Sequence, residues 1–483
     1  MVCYLALFAM VNYVQVIKAD ELNNKPENNR AIVRDFDRAR GQVVSADGVV
    51  LAETVDAAEG DRFEFQRRYP TGDLFGHITG YFNFSFGATG IEATYNDELA
   101  GQTAEQEYQS LSDLFVERER VADVTLTIRA DVQQLAREAL GEQEGSVVAI
   151  DPRDGSVLAL WSFPSFDPNP LSSHDLGAAQ DLKTALEADP NRPLRARSWQ
   201  ERFFPGSTFK IITGSAGVES GLVTTESPSY PVASEYDIDF TENELNNFGG
   251  STCGGALFPI LAVSCNTAFA AMAADTLGPA VMAEGAERFG FNQRPPIDLP
   301  AAATSVFPTE FPDDEGNGPL ARAGIGQGDV SASPLQMALA TAGIANNGIV
   351  MRPYVAAEIR DDEGEVLDAR EPQPWAQAMG GPAAEVMRQG MLGVVAGGSA
   401  SGLAIDGIEV GGKTGTAQLG SDPPSSHAWI VGFAGPPGGQ PTVAVAVIVE
   451  AQPGVSEVTG GRVAAPIAKA VMEKVLEVQA AGS

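Results

Sequence analysis

The sequence predicts a mixed α/β (α+β) protein whose main domain builds one antiparallel sheet from both of its ends. Strand-like segments lie at residues 146–162 and again at residues 408–450. Between them, residues 175–400 are rich in Ala and Gly and contain stretches with helical spacing. Two strand-rich ends around a helical middle favour a single sheet with a helical insert packed on it. With 483 residues, the chain should form two to three domains.

The composition excludes several classes of function. The chain has 64 Asp and Glu against 31 Lys and Arg, which gives a net charge of −33. Such a surface repels phosphate backbones and anionic headgroups, so we expect no nucleic-acid partner. Three Cys and three His are too few for a zinc cluster, and we expect no metal and no cofactor.

The first element is an uncharged apolar segment over residues 1–17, which ends at Lys18. Seventeen residues are at the lower limit for a helix that spans a bilayer. We expect residues 1–18 to be a membrane anchor, and a buried core helix is the alternative. No Lys or Arg precedes the segment, which is consistent with an anchor that has lost a short cytoplasmic tail.

The remaining elements follow in order from local patterns. Residues 19–143 form an N-terminal module that is strand-rich up to about Val124 and is predicted to be helical over 126–142. Residues 144–483 form the second domain, which begins with a hairpin around a turn at Asp151–Gly155. Helices are predicted at 207–221 and 334–348, strands at 408–418, 427–435 and 442–450, and a last helix at 463–479.

The first motif with chemical meaning is Ser207-x-x-Lys210, where Pro205 and Gly206 predict the start of a helix. Residues three apart share a helix face, so the amine can lie beside the hydroxyl. A serine hydroxyl needs a base, and a lysine with a depressed pKa can serve. Backbone N–H groups at a helix start could stabilise an oxyanion. The tetrapeptide alone is weak evidence, because chance produces it often.

Two further motifs follow in the same domain. Ser264-Cys265-Asn266 could relay a proton and hydrogen-bond an amide, and Lys413-Thr414-Gly415 offers a cation and a hydroxyl to a carboxylate. Taken singly, each is commonplace. Ser264 follows Ser207 by 57 residues, and Lys413 follows Ser264 by 149. The order Ser-x-x-Lys, Ser-x-Asn, Lys-Thr-Gly is the set of penicillin-interacting serine enzymes, and each motif lies in a suitable predicted element.

With these motifs the chain resembles the class B penicillin-binding proteins, specifically the actinobacterial type. The resemblance extends to the N-terminal module through 40–43, 47–52 and 90–101, which match that family's pedestal. It implies a five-stranded antiparallel sheet flanked by helices, with an all-helical insert. It also implies a peptidoglycan D,D-transpeptidase of cell-wall synthesis that serves cell elongation or division and binds penicillins.

The resemblance also assigns roles to residues. Ser207 would attack the penultimate D-alanine of a stem peptide, and Lys210 would be its base. Ser264 and Asn266 would position Lys210 and the substrate amide. Lys413 and Thr414 would hold the terminal carboxylate, Gly415 lets the substrate lie close to the strand, and the N–H groups of Ser207 and Thr416 would form the oxyanion hole. The implied partners are stem peptides ending in D-Ala-D-Ala, β-lactams, the cell membrane through a single-pass anchor with the catalytic domain outside the cytoplasm, and a SEDS-family glycosyltransferase.

Other residues leave alternatives open. Cys253 and Cys265 flank the second motif and could form a disulfide outside the cytoplasm or remain two buried thiols. We interpret His427 as a residue that orients a strand end rather than as a catalytic base. His77 and His174 are interpreted as structural or exposed, and Trp161 and Trp429 as core. The glycine-rich segment 324–330 receives no catalytic role.

Two other functions share the same motifs. A β-lactamase would use the same acylation, but such enzymes usually lack an anchor and a pedestal. A non-enzymatic β-lactam sensor or divisome scaffold would carry a vestigial site. The lifetime of the acyl-enzyme separates the first from a transpeptidase, and cross-linking activity separates the second.

Overall fold

The computed structural model describes residues 38–103, 121–240, 244–419, 425–451 and 459–482, together with a few single positions before residue 38. Most of the anchor predicted over residues 1–18 falls outside this part of the chain. None of the described helices is both long and apolar enough to span a bilayer.

Among the described residues before 220, short strands alternate with mostly short helices. They are β1 (Val43–Val44), β2 (Val50–Asp56), β3 (Phe65–Arg68), α1 (Gly76–Thr79), β4 (Phe82–Asn83), β5 (Gly87–Ala88), α2 (Gly90–Thr94), α3 (Asn96–Leu99), β6 (Ala122–Leu126), α4 (Ala130–Leu140), β7 (Gly145–Ile150), β8 (Val157–Phe163), α5 (Pro168–Leu171), α6 (Leu176–Ala188), α7 (Arg197–Gln200) and α8 (Lys210–Glu219).

The later elements begin with small strands and helices and end with three long strands and a last helix. They are β9 (Tyr230–Ala233), β10 (Glu235–Tyr236), β11 (Leu245–Asn246), β12 (Cys253–Gly255), α9 (Leu257–Ala262), α10 (Asn266–Ala271), α11 (Gly278–Arg288), α12 (Gly318–Gly324), α13 (Pro334–Ala345), β13 (Ile349–Met351), β14 (Ala356–Asp361), β15 (Val366–Ala369), β16 (Pro374–Gln377), α14 (Gly381–Gly397), β17 (Glu409–Gln418), β18 (Ser426–Gly435), β19 (Val443–Val449) and α15 (Gly460–Gly482).

The main sheet has five strands in the order β17-β18-β19-β7-β8, and every pair in it is antiparallel. Every residue of β19 is buried, because α13 and α15 both pack against this strand. A strand covered on both faces is apolar throughout, which explains the run Val443–Val449. The mixed α/β class and the predicted antiparallel sheet of five strands are therefore confirmed, and β17 forms an edge of that sheet. The insert is not all-helical as the resemblance implied, because β9 pairs with β12 and β10 pairs with β11 inside it.

The number of sheets differs from the prediction. A second sheet of six strands has the order β15-β14-β6-β1-β2-β3 and combines strands of the N-terminal module with β14 and β15 of the second domain. In it, β14 runs antiparallel to β6, with Ile359 opposite Val124. These residues lie more than 200 positions apart, and local patterns carry no information about such pairing. The helix predicted over 126–142 is also shorter than expected, because residues 122–126 are strand β6 and α4 begins at Ala130.

Candidate active site

Ser207 lies in a tight turn that presses the start of α8 against strand β17. Residues Gly206–Phe209 form a 3₁₀ turn, and α8 begins only at Lys210, so Ser207 precedes the α-helix that the sequence predicted it to open. Gly206 has φ 54°, and a Cβ added there would lie 2.7 Å from the carbonyl oxygen of Thr416. Only glycine fits this close approach, and it brings Ser207 beside β17.

Lys210 is completely buried and is held by the second motif. Its Nζ lies 2.7 Å from the carbonyl oxygen of Ser264 and 2.6 Å from Oδ1 of Asn266, and 3.3 Å from Oγ of Ser264. Burial, together with the charge of Lys413, holds the pKa of Lys210 well below its ordinary value. A neutral amine donates two hydrogen bonds, which suit the carbonyl and amide oxygens, and keeps a lone pair for a proton.

The second motif joins two helices through a strained residue. Ser264 lies between α9 and α10 with φ 60°, a left-handed conformation that non-glycine residues rarely adopt. Asn266 begins α10, and its Nδ2 donates to the carbonyl oxygen of Asn246 over 2.9 Å. Between them, Cys265 forms a disulfide with Cys253 across a Cα–Cα distance of 5.8 Å. These contacts fix the oxygens that receive Lys210.

The third motif brings a second buried lysine to the same serine. Nζ of Lys413 donates to Oγ of Ser264 over 2.7 Å and to the carbonyl oxygen of Thr414 over 3.0 Å. Burial lowers the pKa of Lys413 to about 7. The hydroxyl of Ser264 therefore lies between the two amines, with Lys413 at 2.7 Å and Lys210 at 3.3 Å. This arrangement can pass a proton between them.

The residues around Lys413 leave little space on one side of β17. A Cβ added at Gly415 would lie 2.8 Å from Cγ2 of Thr208 and 2.9 Å from Cβ of Trp429. Oγ1 of Thr414 donates to Oγ of Ser399 over 2.9 Å. Glycine is therefore required at 415 for the turn with Ser207 to pack on the sheet.

The three motifs open into one cleft of about 690 Å³, which we call the main cleft. Ser207, Ser264, Asn266, Thr414 and Thr416 line it. The hydroxyls of Ser207 and Ser264, the amide of Asn266 and a polar strand edge thus border one space large enough for a peptide end.

Sequence reasoning missed several supports of this site. In the glycine-rich segment 324–330, Gly326 accepts a hydrogen bond from the Gly206 N–H over 2.9 Å. A Cβ added at Gly326, where φ is 72°, would lie 2.3 Å from the Gly206 carbonyl oxygen. The run of glycines signals a tight approach, but nothing in the sequence says which segment approaches. Ser399, which contacts Thr414, has no sequence signal at all.

The histidines and tryptophans have structural positions. Nδ1 of His427 accepts a hydrogen bond from the Ala451 N–H over 3.0 Å, and burial lowers the pKa of His427 to about 4. This contact ties the start of β18 to the second residue after β19. His77 is buried with Nε2 2.8 Å from the Pro193 carbonyl oxygen. Trp161 and Trp429 are buried, so their interpretation as core residues is confirmed.

Family models match both parts of the chain. Residues 145–473 match the penicillin binding protein transpeptidase domain, and residues 40–124 match the penicillin binding protein A dimerisation domain. The chain belongs to the penicillin-binding proteins. The resemblance drawn from the three motifs is thus confirmed.

Similar proteins cover nearly the whole penicillin-binding protein described here. The peptidoglycan D,D-transpeptidase PbpA of Mycolicibacterium smegmatis is 36% identical, with 99% of this chain and 97% of the relative covered. Penicillin-binding protein A of Mycobacterium tuberculosis, solved as an imipenem acyl-enzyme, is 32% identical with a TM-score of 0.81, and covers 92% of this chain and 100% of its own. Its penicillin G acyl-enzyme is 33% identical with a TM-score of 0.81, covering 91% and 100%. As a member of this family, the chain is an enzyme, a peptidoglycan D,D-transpeptidase.

Proposed function

We propose that Ser207 is the nucleophile of this transpeptidase and that Lys210 is its general base. The observation that carries the proposal is the position of Lys210, a buried amine with a depressed pKa whose donors are satisfied by Ser264 and Asn266. In this proposal the lone pair of Lys210 accepts the proton of the Ser207 hydroxyl, which lies three residues earlier in the chain and lines the main cleft.

The proposed reaction has two balanced steps. Lys210 takes the proton of the Ser207 hydroxyl while Oγ forms a bond to the carbonyl carbon of the penultimate D-alanine. The C–N bond to the terminal D-alanine then breaks, and that residue leaves as an amine carrying the proton. In the second step an amine from a neighbouring stem peptide forms a C–N bond to the acyl carbon, and the ester bond between that carbon and Oγ of Ser207 breaks. The proton that the attacking amine loses passes through Lys210 to Oγ of Ser207 as the cross-link forms.

The other motif residues bind and orient the substrate in this proposal. Lys413 and Thr414 hold the terminal carboxylate, because Thr414 offers a hydroxyl at the wall of the main cleft and the amine of Lys413 lies behind it, 3.0 Å from the Thr414 carbonyl oxygen. The backbone N–H groups of Ser207 and Thr416 receive the oxyanion. Ser264 passes a proton between the two lysines, and Asn266 holds Lys210 and the substrate amide.

The proposal is tested by intact-mass spectrometry of residues 19–483 incubated with penicillin G. A lasting adduct of one drug mass is expected in the wild type and in Ser220→Ala, a control at the end of α8, but not in Ser207→Ala. Loss of the adduct with drug consumption would point instead to a β-lactamase. If the wild type forms no adduct at all, the result would contradict the proposal and indicate a non-enzymatic scaffold.

We also propose the domain division 1–18, 19–143 and 144–483, which the ranges of the two family models support. In this proposal, residues 1–18 anchor the protein once in the cell membrane with the main cleft outside the cytoplasm. The N-terminal module then contacts a SEDS-family glycosyltransferase that supplies glycan strands. Removal of residues 1–18 should release the protein from membranes on fractionation, and retention would contradict the anchor.

A further inference from the structure

A second cleft lies beside the segment that leads into Ser207, and it is unusually basic for this chain. Residues 192–202 contain four arginines and one glutamate, whereas the whole chain has 31 basic residues against 64 acidic ones. Three of these arginines line a space of about 550 Å³, which we call the arginine cleft. One wall carries Arg192, Arg195, Glu201, Arg202 and Phe203, and the other carries Ala301 and Thr304.

A buried carboxylate orients two of the guanidinium groups. Glu201 is only 5% exposed, and its Oε1 pairs with both Arg192 and Arg195, the latter over 3.1 Å from Nε. The side chains of Arg192 and Arg195 are 52% and 54% exposed, so each keeps donors for a ligand. Arg202 donates to the carbonyl oxygen of Thr304 across the cleft over 3.2 Å. Three arginines and one glutamate leave two positive charges in the cleft.

The backbone of the arginine cleft is strained on both walls. Arg192 has φ 51° and Ala301 has φ 58°, and both are left-handed conformations for residues other than glycine. Such conformations persist where the surrounding structure enforces them and are common at ligand sites. In this chain Ser264, which lines the main cleft, also has a positive φ of 60°.

The cleft is close to the nucleophile but separate from the main cleft. Phe203 precedes Ser207 by four residues, so the two lie within about 14 Å, the span of an extended chain of that length. Phe203 is fixed by two backbone hydrogen bonds with Ala332, of 2.9 and 2.8 Å. The two clefts have no lining residue in common.

We propose that the arginine cleft binds the terminal carboxylate of the peptide strand that supplies the acceptor amine. The inference rests on the proposed function, in which Lys413 and Thr414 already hold the carboxylate of the donor strand. An acceptor stem peptide also ends in a carboxylate, and a chain with a net charge of −33 repels it except where positive charge is concentrated. The planar fork of a guanidinium matches a carboxylate with two hydrogen bonds.

The experiment compares the wild type with the double variant Arg195→Gln/Arg202→Gln in the full chain. Acyl transfer is measured to uncross-linked peptidoglycan strands and to glycinamide, a small acceptor without a carboxylate. We expect the KM for the strand to rise about tenfold, while kcat for the strand and transfer to glycinamide stay unchanged. Arg195→Lys/Arg202→Lys should restore part of the strand affinity, because the charge returns without the fork. Arg360→Gln, an exposed arginine on β14, is the matched control and should behave as wild type.

Penicillin adduct formation is followed in every variant and separates this inference from the proposed function. An unchanged KM for the strand in a variant that still forms the adduct would overturn the inference alone. Lost binding to vesicles containing phosphatidylglycerol, with unchanged strand KM, would also overturn it and assign the cleft to a lipid surface. Absence of the adduct in the wild type would instead overturn the proposed function, on which the inference depends.

Discussion

At the scale of single residues, the site depends on how one hydroxyl is shared. Ser264 Oγ receives Lys413 at 2.7 Å and lies 3.3 Å from Lys210, so it connects two buried amines that would otherwise repel each other. Two ammonium groups that share one hydroxyl in a buried site are unfavourable. Burial and the charge of Lys413 therefore both depress the pKa of Lys210 and favour the neutral form of its amine.

Removal of this hydroxyl should slow acylation strongly. We expect Ser264→Ala to reduce the rate of acylation by penicillin G by about 10²-fold, the scale of a lost proton-transfer group. Stopped-flow or quenched-mass kinetics would measure the rate. Ser399→Ala is the comparison, because it also removes a hydroxyl from the main cleft but not one between the lysines. Equal rates for wild type and Ser264→Ala would contradict the relay.

The pH dependence of acylation follows from the two lysines. As pH falls through the depressed pKa of Lys210, the base becomes protonated and the rate should fall. As pH rises through about 7, Lys413 loses its proton and holds an anionic substrate less well. The rate profile should therefore be bell-shaped, and Lys413→Arg should flatten its alkaline side because arginine stays charged. If Lys413→Arg leaves the alkaline side of the profile unchanged, the loss of rate at high pH comes from a group other than Lys413.

At the scale of elements, the position of Ser207 is set by two glycine contacts between segments distant in sequence. The 3₁₀ turn at Gly206 packs on β17 through Thr416 on one side and on the loop after α12 through Gly326 on the other. The turn that carries Ser207 is therefore held by backbone contacts rather than by side-chain contacts.

Substitution of Gly326 should weaken the backbone contacts that hold the turn with Ser207. Gly326→Ala would place a Cβ 2.3 Å from the Gly206 carbonyl oxygen, and we expect a loss of about 1–3 kcal/mol in the free energy of unfolding together with slower acylation. Gly364→Ala is the control, because φ is also positive there (84°) and nothing lies within 4 Å of the added atom. Urea denaturation measures both variants, and equal losses would show that backbone strain alone accounts for the effect.

At the scale of the whole molecule, a buried ion cluster holds the N-terminal module together. Glu92 is fully buried and pairs with Arg40 at 2.9 Å and with Arg67 at 2.5 Å. Burial alone would raise the pKa of Glu92, but the two guanidiniums outweigh it and hold that pKa below its ordinary value. The carboxylate therefore stabilises the fold above its unfolded pKa, and this contribution is lost as the pH falls through the lowered one.

Neutralising the Glu92 carboxylate should lower the free energy of unfolding strongly. Glu92→Gln leaves two buried arginines without their counter-charge, and we expect a loss of about 3–5 kcal/mol in the free energy of unfolding. Glu59→Gln removes an exposed carboxylate of the same module and should change stability by less than about 0.5 kcal/mol. Thermal and urea unfolding of both variants checks the prediction, which fails if the two variants lose the same amount.

Sequence patterns were sufficient where structure is local and insufficient where it is not. The order of the three motifs predicted which of the few lysines would meet a serine, and the apolar runs predicted β17, β18 and β19. The conformation of Ser264 and the contact of Gly326 with Gly206 depend on neighbours far along the chain, and so does the pairing of β14 with β6. No period or propensity encodes such partners.

The sheet that β6 and β14 share ties the two parts of the chain together mechanically. Tyr95 adds a hydrogen bond of 2.8 Å to Asp298, whose other contacts are the backbone N–H groups at the start of β14. A continuous hydrogen-bond ladder makes the connection between the two parts rigid rather than hinged. A displacement of β1–β3 would therefore move the catalytic part of the chain with them. The two halves should also melt as one unit, and an antibiotic bound at Ser207 would then protect the distant N-terminal strands from heat.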